Sequence, residues 1–435
     1  MAERRLFGTD GVRGPVGELL TPELAVRLGR AAALQADAER PQVLIIRDTR
    51  ESGPMLEQAL AAGVAAGGGD AMLGGVLPTP AASVLARRLS FDLAGVVSAS
   101  HNPFSDNGIK FFNARGTKLD DEAELAIEGL MKEDTAASVG GVRVLEGAFD
   151  DYIRQLRGAF PIDLSGMRVA LDCANGATHL AAPAIFRALG AELELTAAEP
   201  DGRNINAGCG STHPEALIEL VRSSGADIGF AYDGDGDRVL AVDGAGRLHD
   251  GDDLIALIAR DLSSRGELEG GVAVTVMTNF GLLKTMEREG IEVAQARVGD
   301  RYVIETLRER GWTLGGEQSG HIIWTGFTPT GDGIAASLLT LRALRGRRLE
   351  DVEPFERLPQ RLENVAIADR TAVEGAAALW SAVEQENEKL DGRGRVLVRP
   401  SGTEPLLRVM VEAPDEGECE AVATRLVEVA KRELA

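Results

Sequence analysis

Lysine is scarce in this chain. Six of its 46 basic residues are lysine, at Lys110, Lys118, Lys132, Lys284, Lys389 and Lys431, and arginine supplies the rest. Arginine keeps its proton near neutral pH, whereas lysine can lose it. Lys110, inside a glycine-containing stretch, is therefore of interest as a side chain able to exchange a proton. Cysteine is scarcer still. Cys173, Cys209 and Cys419 lie far apart and form no CxxC pair, which argues against zinc clusters and redox motifs. Free thiols suit a reducing cytosol, so a cytoplasmic location is expected. Positive charge is in deficit, with a formal net charge of −22. A nucleic-acid binder needs a basic footprint and an anionic membrane repels an acidic surface, so neither partner is expected. No apolar run reaches the ~18 residues of a membrane helix. Met1-Ala2-Glu3-Arg4-Arg5 leads into a Gly/Asp-rich loop without an apolar core, so no signal peptide is expected. The chain has no Gly-Lys pair, which excludes a Walker phosphate loop.

What the chain does have is 435 residues of ordinary globular composition, enough for several domains. Thr21-Pro22-Glu23 reads as a helix start, with a cap, a proline at the first position and an early acid. The helix runs to about Ala36. Val43–Ile46, Met72–Val76 and Leu93–Val97 read as strands, with helices over residues 54–66 and Pro80–Leu89. Continuous apolar strands alternating with helices indicate a mainly parallel sheet covered on both faces. The pattern restarts near Val169, with strands at Val169–Cys173, Glu192–Thr196 and Ile228–Tyr232. It restarts again with a helix at Leu254, followed by strands at Val272–Thr275, Val293–Ala296 and Gly315–Glu317. The last section carries strands at Leu362–Ala368, Arg395–Pro400 and Leu407–Val411 and helices over 372–388 and 415–433, a small α+β arrangement. Domains are expected at 1–150, 151–251, 252–362 and 363–435.

The strongest chemical signal is Asp233-Gly234-Asp235-Gly236-Asp237-Arg238, directly after an apolar strand. Three carboxylates at alternate positions repel one another unless a hard divalent cation takes their oxygens. Glycines let the backbone turn so that all three point inward. An EF-hand would need glycine and glutamate where Arg238 and Gly244 stand. Val97-Ser98-Ala99-Ser100-His101-Asn102-Pro103 is a second polar loop at a strand end. A phosphate on Ser100 would bring roughly −1.5 to −2 charges and further oxygen ligands to such a metal. Arg399-Pro400-Ser401-Gly402-Thr403-Glu404-Pro405, with Arg408 on the next strand, offers guanidinium forks, hydroxyls and amides for a phosphate monoester. Gly315-Gly316-Glu317-Gln318-Ser319-Gly320-His321 suits sugar hydroxyls, with Glu317 and Ser319 on one face if the strand continues. Gly8-Thr9-Asp10-Gly11-Val12-Arg13-Gly14 makes Arg13 a phosphate candidate.

Four of these motifs, in this order, closely resemble those of the α-D-phosphohexomutases. The resemblance covers the whole chain. It implies an α/β fold of three topologically similar α/β domains with mixed, mainly parallel sheets, plus a C-terminal α+β domain, around a central cleft. Carried over residue by residue, Ser100 would be the phosphorylated serine. Asp233, Asp235 and Asp237, with the Ser100 phosphate, would hold Mg²⁺. Glu317 and Ser319 would contact sugar hydroxyls. Arg399, Ser401, Gly402, Thr403 and Arg408 would bind the non-reacting phosphate. Arg13, His101, Lys110, Arg238 and His321 would line the reacting end, with Lys110 a candidate for proton transfer. The opening Phe7-Gly8-Thr9-Asp10-Gly11-Val12-Arg13-Gly14 and Gln318 resemble the phosphoglucosamine mutase branch. That implies a phosphosugar substrate and a glucosamine 1,6-bisphosphate intermediate. The sister branch acting on mannose and glucose phosphates usually has methionine at the position of Gln318, and a Gly-His where this chain has Gly299-Asp300-Arg301. Asp300 would suit a substrate ammonium group, and Arg301 could take over a phosphate contact. Many relatives are homodimers, though no sequence feature decides the assembly here. The competing readings are the sister mutase, a silent phosphosugar-binding protein and a metal phosphatase.

Overall fold

The computed structural model describes residues 6–8, 10–132, 138–400 and 405–434. The expected site residues Ser401, Gly402 and Thr403 lie outside them. The described residues form four sheets and two compact units, one comprising Met1–Val276 with Glu292–Pro354 and the other Met277–Ile291 with Phe355–Ala435. Among them no helix is long and apolar enough to cross a membrane.

The first sheet contains β1 (Val12–Pro15), β2 (Gln42–Arg47), β3 (Asp70–Val76), β4 (Leu93–Val97), β5 (Asp106–Asn113) and β6 (Val142–Val144), in the order β1-β5-β4-β2-β3-β6. Strands β4, β2, β3 and β6 run parallel, whereas β5 returns antiparallel to β4 and pairs with β1. The second sheet contains β7 (Arg168–Asp172), β8 (Glu192–Thr196), β9 (Ile228–Tyr232), β10 (Val239–Asp243) and β11 (Leu248–His249), in the order β11-β10-β9-β7-β8. Here β8, β7 and β9 are parallel and β10 returns antiparallel. The third contains β12 (Val272–Thr275), β13 (Val293–Ala296), β14 (Leu314–Gly316) and β15 (Ile322–Trp324), in the order β13-β12-β14-β15, with β15 antiparallel to β14. Each sheet thus repeats one device. One parallel strand, β4, β9 or β14, ends in a short loop, and the next strand carries the chain back antiparallel beside it.

Burial explains why the strands read as continuous apolar runs. Every residue of β4, β9 and β10 is buried, as expected for strands covered on both faces. The helix starts are fixed chemically. Thr21 Oγ1 accepts from the Leu24 amide at 3.2 Å ahead of the helix Pro22–Gln35. Asp250 caps the helix Gly251–Arg265 and forms a reciprocal capping box with Asp253. In the second unit, β16 (Gln360–Ala366), β17 (Arg395–Pro400) and β18 (Leu406–Glu412) form an antiparallel sheet in the order β16-β18-β17. The helices Ala377–Leu390 and Glu416–Leu434 cover it over a core that includes Leu379, Leu407, Val409 and Leu426. This is the expected α+β arrangement.

Candidate active site

Three of the motifs occupy equivalent places, each joining a parallel strand to its antiparallel return. Residues 98–105 join β4 to β5, 233–238 join β9 to β10, and 317–321 join β14 to β15. In the first unit, three sequence-distant loops therefore project from the carboxyl ends of parallel strands, where open α/β sheets place their ligands.

Ser100 is buried and sits at φ +51°, a left-handed conformation that costs a non-glycine residue about 1–2 kcal/mol. Its Oγ donates to Asp233 Oδ2 at 2.5 Å, joining residues 133 positions apart. Asp233 Oδ1 also accepts from the amides of Gly236 and Arg238 at 3.1 and 3.2 Å. Oxygens of Asp233, Asp235 and Asp237 all lie within 4.8 Å of one another, and all three residues are buried. Asp235 Oδ2 accepts from Lys110 Nζ and from Thr79 Oγ1, both at 2.7 Å. Asp235 Oδ1 and Asp237 Oδ1 are buried with no hydrogen-bond partner among the described residues. Orphaned carboxylate oxygens in a cluster of this size fit a hard divalent cation.

The charges settle unevenly. Burial, then repulsion from Asp235 and Asp237, pushes Asp233 well above the usual carboxylate range. Burial would raise Asp237 too, but His321, Lys110 and Arg238 outweigh it and hold it down. Asp235 is likewise lowered, chiefly by Lys110, against burial and Asp237. Lys110 is disfavoured as a cation by burial, yet Asp10 at 3.6 Å and Asp235 raise it. Those two carboxylates hold it as an ammonium.

Two cationic arms complete the reacting end. Arg13 on β1 contacts Asp10, and Arg238 Nε lies 3.9 Å from Asp237 Oδ1. The Nε atoms of Arg13 and Arg238 are both buried without a hydrogen-bond partner among the described residues, donors left over for an anion. His101 Nδ1 is 3.5 Å from Ser100 Oγ, and burial followed by Arg238 and Arg13 lowers its pKa. His321 Nδ1 is 3.6 Å from Asp237 Oδ1, and its Nε2 accepts from the Gly331 amide at 3.1 Å. The structure thus brings Ser100, His101, Lys110, Arg13, Arg238, His321 and the three aspartates together.

Two expectations need correction. Strand geometry does not persist to Ser319. β14 ends at Gly316, and residues 317–320 form a turn closed by the Gly320 amide on the Glu317 carbonyl at 3.0 Å. Glu317 Oε1 accepts from the Gly299 amide at 3.0 Å, while Ser319 is exposed. Gln318 Nε2 reaches Asp250 Oδ2 at 3.2 Å, anchoring this loop to the cap of the helix Gly251–Arg265. Arg301 is not directed at a phosphate. It contacts Asp121, and its Nη2 donates to Glu124 Oε2 and the Leu119 carbonyl, both at 3.1 Å. Its neighbour Asp300 holds Lys118 Nζ at 2.5 Å, and Lys118 also contacts Asp10. Lys118 was not singled out from the sequence, although the scarcity of lysine that marked Lys110 applies to it equally.

On the second unit's sheet, Arg399 and Arg408 are cross-strand partners. Like charges directly opposite are destabilising, and Arg408 adds to the burial that lowers the Arg399 pKa.

Gly234 shows how tightly the first two loops meet. A Cβ there would lie 2.5 Å from the Ser100 carbonyl oxygen and 2.7 Å from Asn206 Nδ2. Gly234→Ala is expected to displace the Ser100 loop. Misplacement of about 1 Å can cost about 10²-fold in rate, so kcat should fall by roughly 10–10²-fold, and the overpacking should cost about 1–3 kcal/mol of stability. Steady-state kinetics beside a thermal melt tests this, and an unchanged kcat would refute the close fit.

Comparison with known proteins agrees with this geometry. Descriptions of the Phosphoglucomutase/phosphomannomutase alpha/beta/alpha domains I, II and III match residues 4–138, 150–246 and 250–361, and that of the C-terminal domain matches 362–429. A phosphoglucosamine mutase of Pelotomaculum thermopropionicum is 48% identical over 439 residues, covering 98% of this chain and 99% of the relative. Among solved structures, a phosphoglucomutase/phosphomannomutase family protein of Burkholderia thailandensis superposes with a TM-score of 0.84 at 25% identity, over 98% of this chain and 97% of that one. An N-acetylphosphoglucosamine mutase of Aspergillus fumigatus, solved with GlcNAc-6P and magnesium, gives a TM-score of 0.73 at 19% identity, over 100% of this chain and 96% of the other.

Proposed function

This chain belongs to the phosphoglucomutase/phosphomannomutase family, and from that premise we propose that it is an isomerase interconverting glucosamine 6-phosphate and glucosamine 1-phosphate. The observation that carries the reading is the Ser100 hydroxyl set 2.5 Å from Asp233 in a buried cluster of three aspartates. Near-full-length identity to a relative of that activity supports the amino-sugar substrate.

In the proposed cycle Ser100 carries a phosphoryl group. The Ser100 Oγ–P bond breaks and a new P–O bond forms to the free sugar hydroxyl, whose proton passes to Ser100 Oγ. The resulting glucosamine 1,6-bisphosphate turns round, and its other phosphate returns to Ser100. Nothing is consumed. Asp233, Asp235 and Asp237, with the Ser100 phosphate, would hold Mg²⁺, which would neutralise charge on the transferring group. Arg13 and Arg238 direct their buried guanidinium donors at the phosphoryl oxygens. Lys110, His101 and His321 line the same end, with Lys110 a candidate for proton transfer. Glu317 and Ser319 contact sugar hydroxyls. Arg399, Ser401, Gly402, Thr403 and Arg408 bind the phosphate that does not react, and the arginine pair opposed across β17 and β18 supports that role. The product feeds UDP-N-acetylglucosamine and cell-envelope synthesis. A cytoplasmic homodimer with domains at 1–150, 151–251, 252–362 and 363–435 is the accompanying proposal.

Turnover should favour glucosamine 6-phosphate over mannose 6-phosphate and glucose 6-phosphate by roughly tenfold or more in kcat/KM at fixed Mg²⁺. The reverse ranking would move the reading to the sister mutase. No turnover of any of the three, with Ser100 unphosphorylated by mass spectrometry, would leave a phosphosugar-binding protein.

A further inference from the structure

The loop after β2, Asp48-Thr49-Arg50-Glu51, carries none of the motifs above, yet it reaches the underside of the Ser100 loop. Arg50 is wholly buried. Its Nε donates to Asp48 Oδ2 at 2.8 Å. Its Nη2 donates to the carbonyls of Ser100 and Asn102 at 2.9 and 2.8 Å. Its Nη1 donates to the carbonyl of Asp106 at 3.0 Å and to that of Pro103. One guanidinium therefore gathers four backbone carbonyls from the loop that displays Ser100. Asp48 closes the arrangement from the other side. Its Oδ2 accepts from Ser98 Oγ at 2.5 Å, and that hydroxyl accepts from the Ser100 amide at 3.0 Å. Asn206, from the loops around the second sheet, donates its Nδ2 to the same Ser100 and Asn102 carbonyls at 2.9 and 3.1 Å.

The Asp48–Arg50 pair is neutral overall, so its effect on the reacting phosphoryl group is geometric. Ser100 holds a left-handed backbone that persists only when its surroundings over-determine it. Released, the residue would relax towards negative φ and swing its Cα–Cβ bond, taking Oγ away from Asp233. The four carbonyls need a planar, multi-toothed donor. Arginine provides one and lysine does not.

We propose that Arg50, oriented by Asp48, is a positioning residue that holds the phosphoryl-carrying Ser100 in register with Asp233, and that Asn206 supports the same loop from the second domain. The inference rests on the phosphoserine reading of Ser100.

The test compares Arg50→Lys and Asn206→Ala with the wild-type chain, using glucosamine 6-phosphate with Mg²⁺. Phosphate loading of Ser100 from glucosamine 1,6-bisphosphate is followed in parallel by intact mass. Arg50→Lys is expected to lower kcat about 30–100-fold with KM within twofold of wild type. Loading of Ser100 should slow in proportion. A role confined to folding would instead lower the amount of folded enzyme and leave kcat per folded chain unchanged. Asn206→Ala, which removes two of the bonds to the same carbonyls, should lower kcat about 5–10-fold at unchanged KM, and it decides the matter if Arg50→Lys does not fold. Wild-type kcat and loading in the folded variants would overturn the proposal. Absence of turnover in the wild-type chain would sink the mutase reading instead, and the loading rates alone would then decide for or against the clamp.

Discussion

Replacing Ser100 with alanine should abolish turnover while sparing sugar-phosphate binding. In the proposed cycle every phosphoryl group passes through Ser100 Oγ, and no other hydroxyl makes its 2.5 Å contact with Asp233 among the described residues. Removing a nucleophile of this kind costs on the order of 10⁴-fold or more in kcat. Binding should survive, because the groups assigned to phosphate and sugar recognition lie on other strands and loops. Arg13 is on β1, Arg238 begins the return to β10, and Arg399 and Arg408 pair across β17 and β18. The change is also small sterically. Ser100 Oγ hydrogen-bonds to Asp233 and His101, whereas the backbone hydrogen bonds that shape the loop come from Arg50, Asn206 and Ser98. Titration calorimetry with glucosamine 6-phosphate should therefore return an affinity within about threefold of wild type, against a kcat near background. Full activity in the variant would remove the phosphoserine mechanism, and loss of binding together with activity would show that the hydroxyl also shapes the site.

Much of this site was legible because its motifs are short polar runs against long apolar ones. Asp233–Arg238 follows a strand whose five residues are all buried, and the expected bounds Ile228–Tyr232 are those observed. The return strands were missed. Ile109-Lys110-Phe111-Phe112, Val239-Leu240-Ala241-Val242 and Ile322-Ile323-Trp324 are as apolar as the strands that were read. Two apolar runs separated by a few polar residues signal a hairpin, and that signal at the first three motifs marks the shared placement of their loops. Glu317 and Ser319 share no strand face for a related reason. Alternation holds only within a strand, and β14 stops one residue before Glu317 because the chain must turn back to β15. Arg50 and Asn206 were invisible for a different reason. Both lie in loops, and loops are ordinarily read as solvated. Their burial comes from docking against the Ser100 loop, from segments 50 and more than 100 residues away. The available clue was Asp48-Thr49-Arg50 directly after a continuous apolar strand, at the carboxyl end of a parallel sheet.

Chelating divalent ions should lower turnover by roughly 10³-fold or more, with recovery on adding Mg²⁺, since oxyanion and phosphoryl charge stabilisation is commonly the largest catalytic contribution. Asp233→Asn should match that loss and resist recovery, yet melt higher than wild type when no divalent ion is present. The opposed effects come from the same three carboxylates. Without a cation, Asp233 is buried against Asp235 and Asp237, and its pKa is raised above the unfolded value. A group raised in this way favours folding most below its unfolded pKa of about 3.9, and that contribution is lost as pH climbs through the folded pKa. Ion-free wild-type protein should therefore lose stability with rising pH on account of Asp233, and Asp233→Asn should remove that slope. Asp235 and Asp237 behave oppositely. Their pKa values are lowered, so they contribute stability above about 3.9 that is lost as pH falls. Replacing either should destabilise the ion-free protein near neutral pH, because Lys110 would lose an anion it is buried against. Melting curves with and without Mg²⁺ across the pH range separate these outcomes. A relief of about 1 kcal/mol is worth about 2–4 °C in a domain of 150–250 residues. If Mg²⁺ raises the melting point of Asp233→Asn as much as that of wild type, the ion is bound elsewhere. If Asp233→Asn melts lower than wild type in its absence, the repulsion assigned to Asp233 is not what governs the empty cluster.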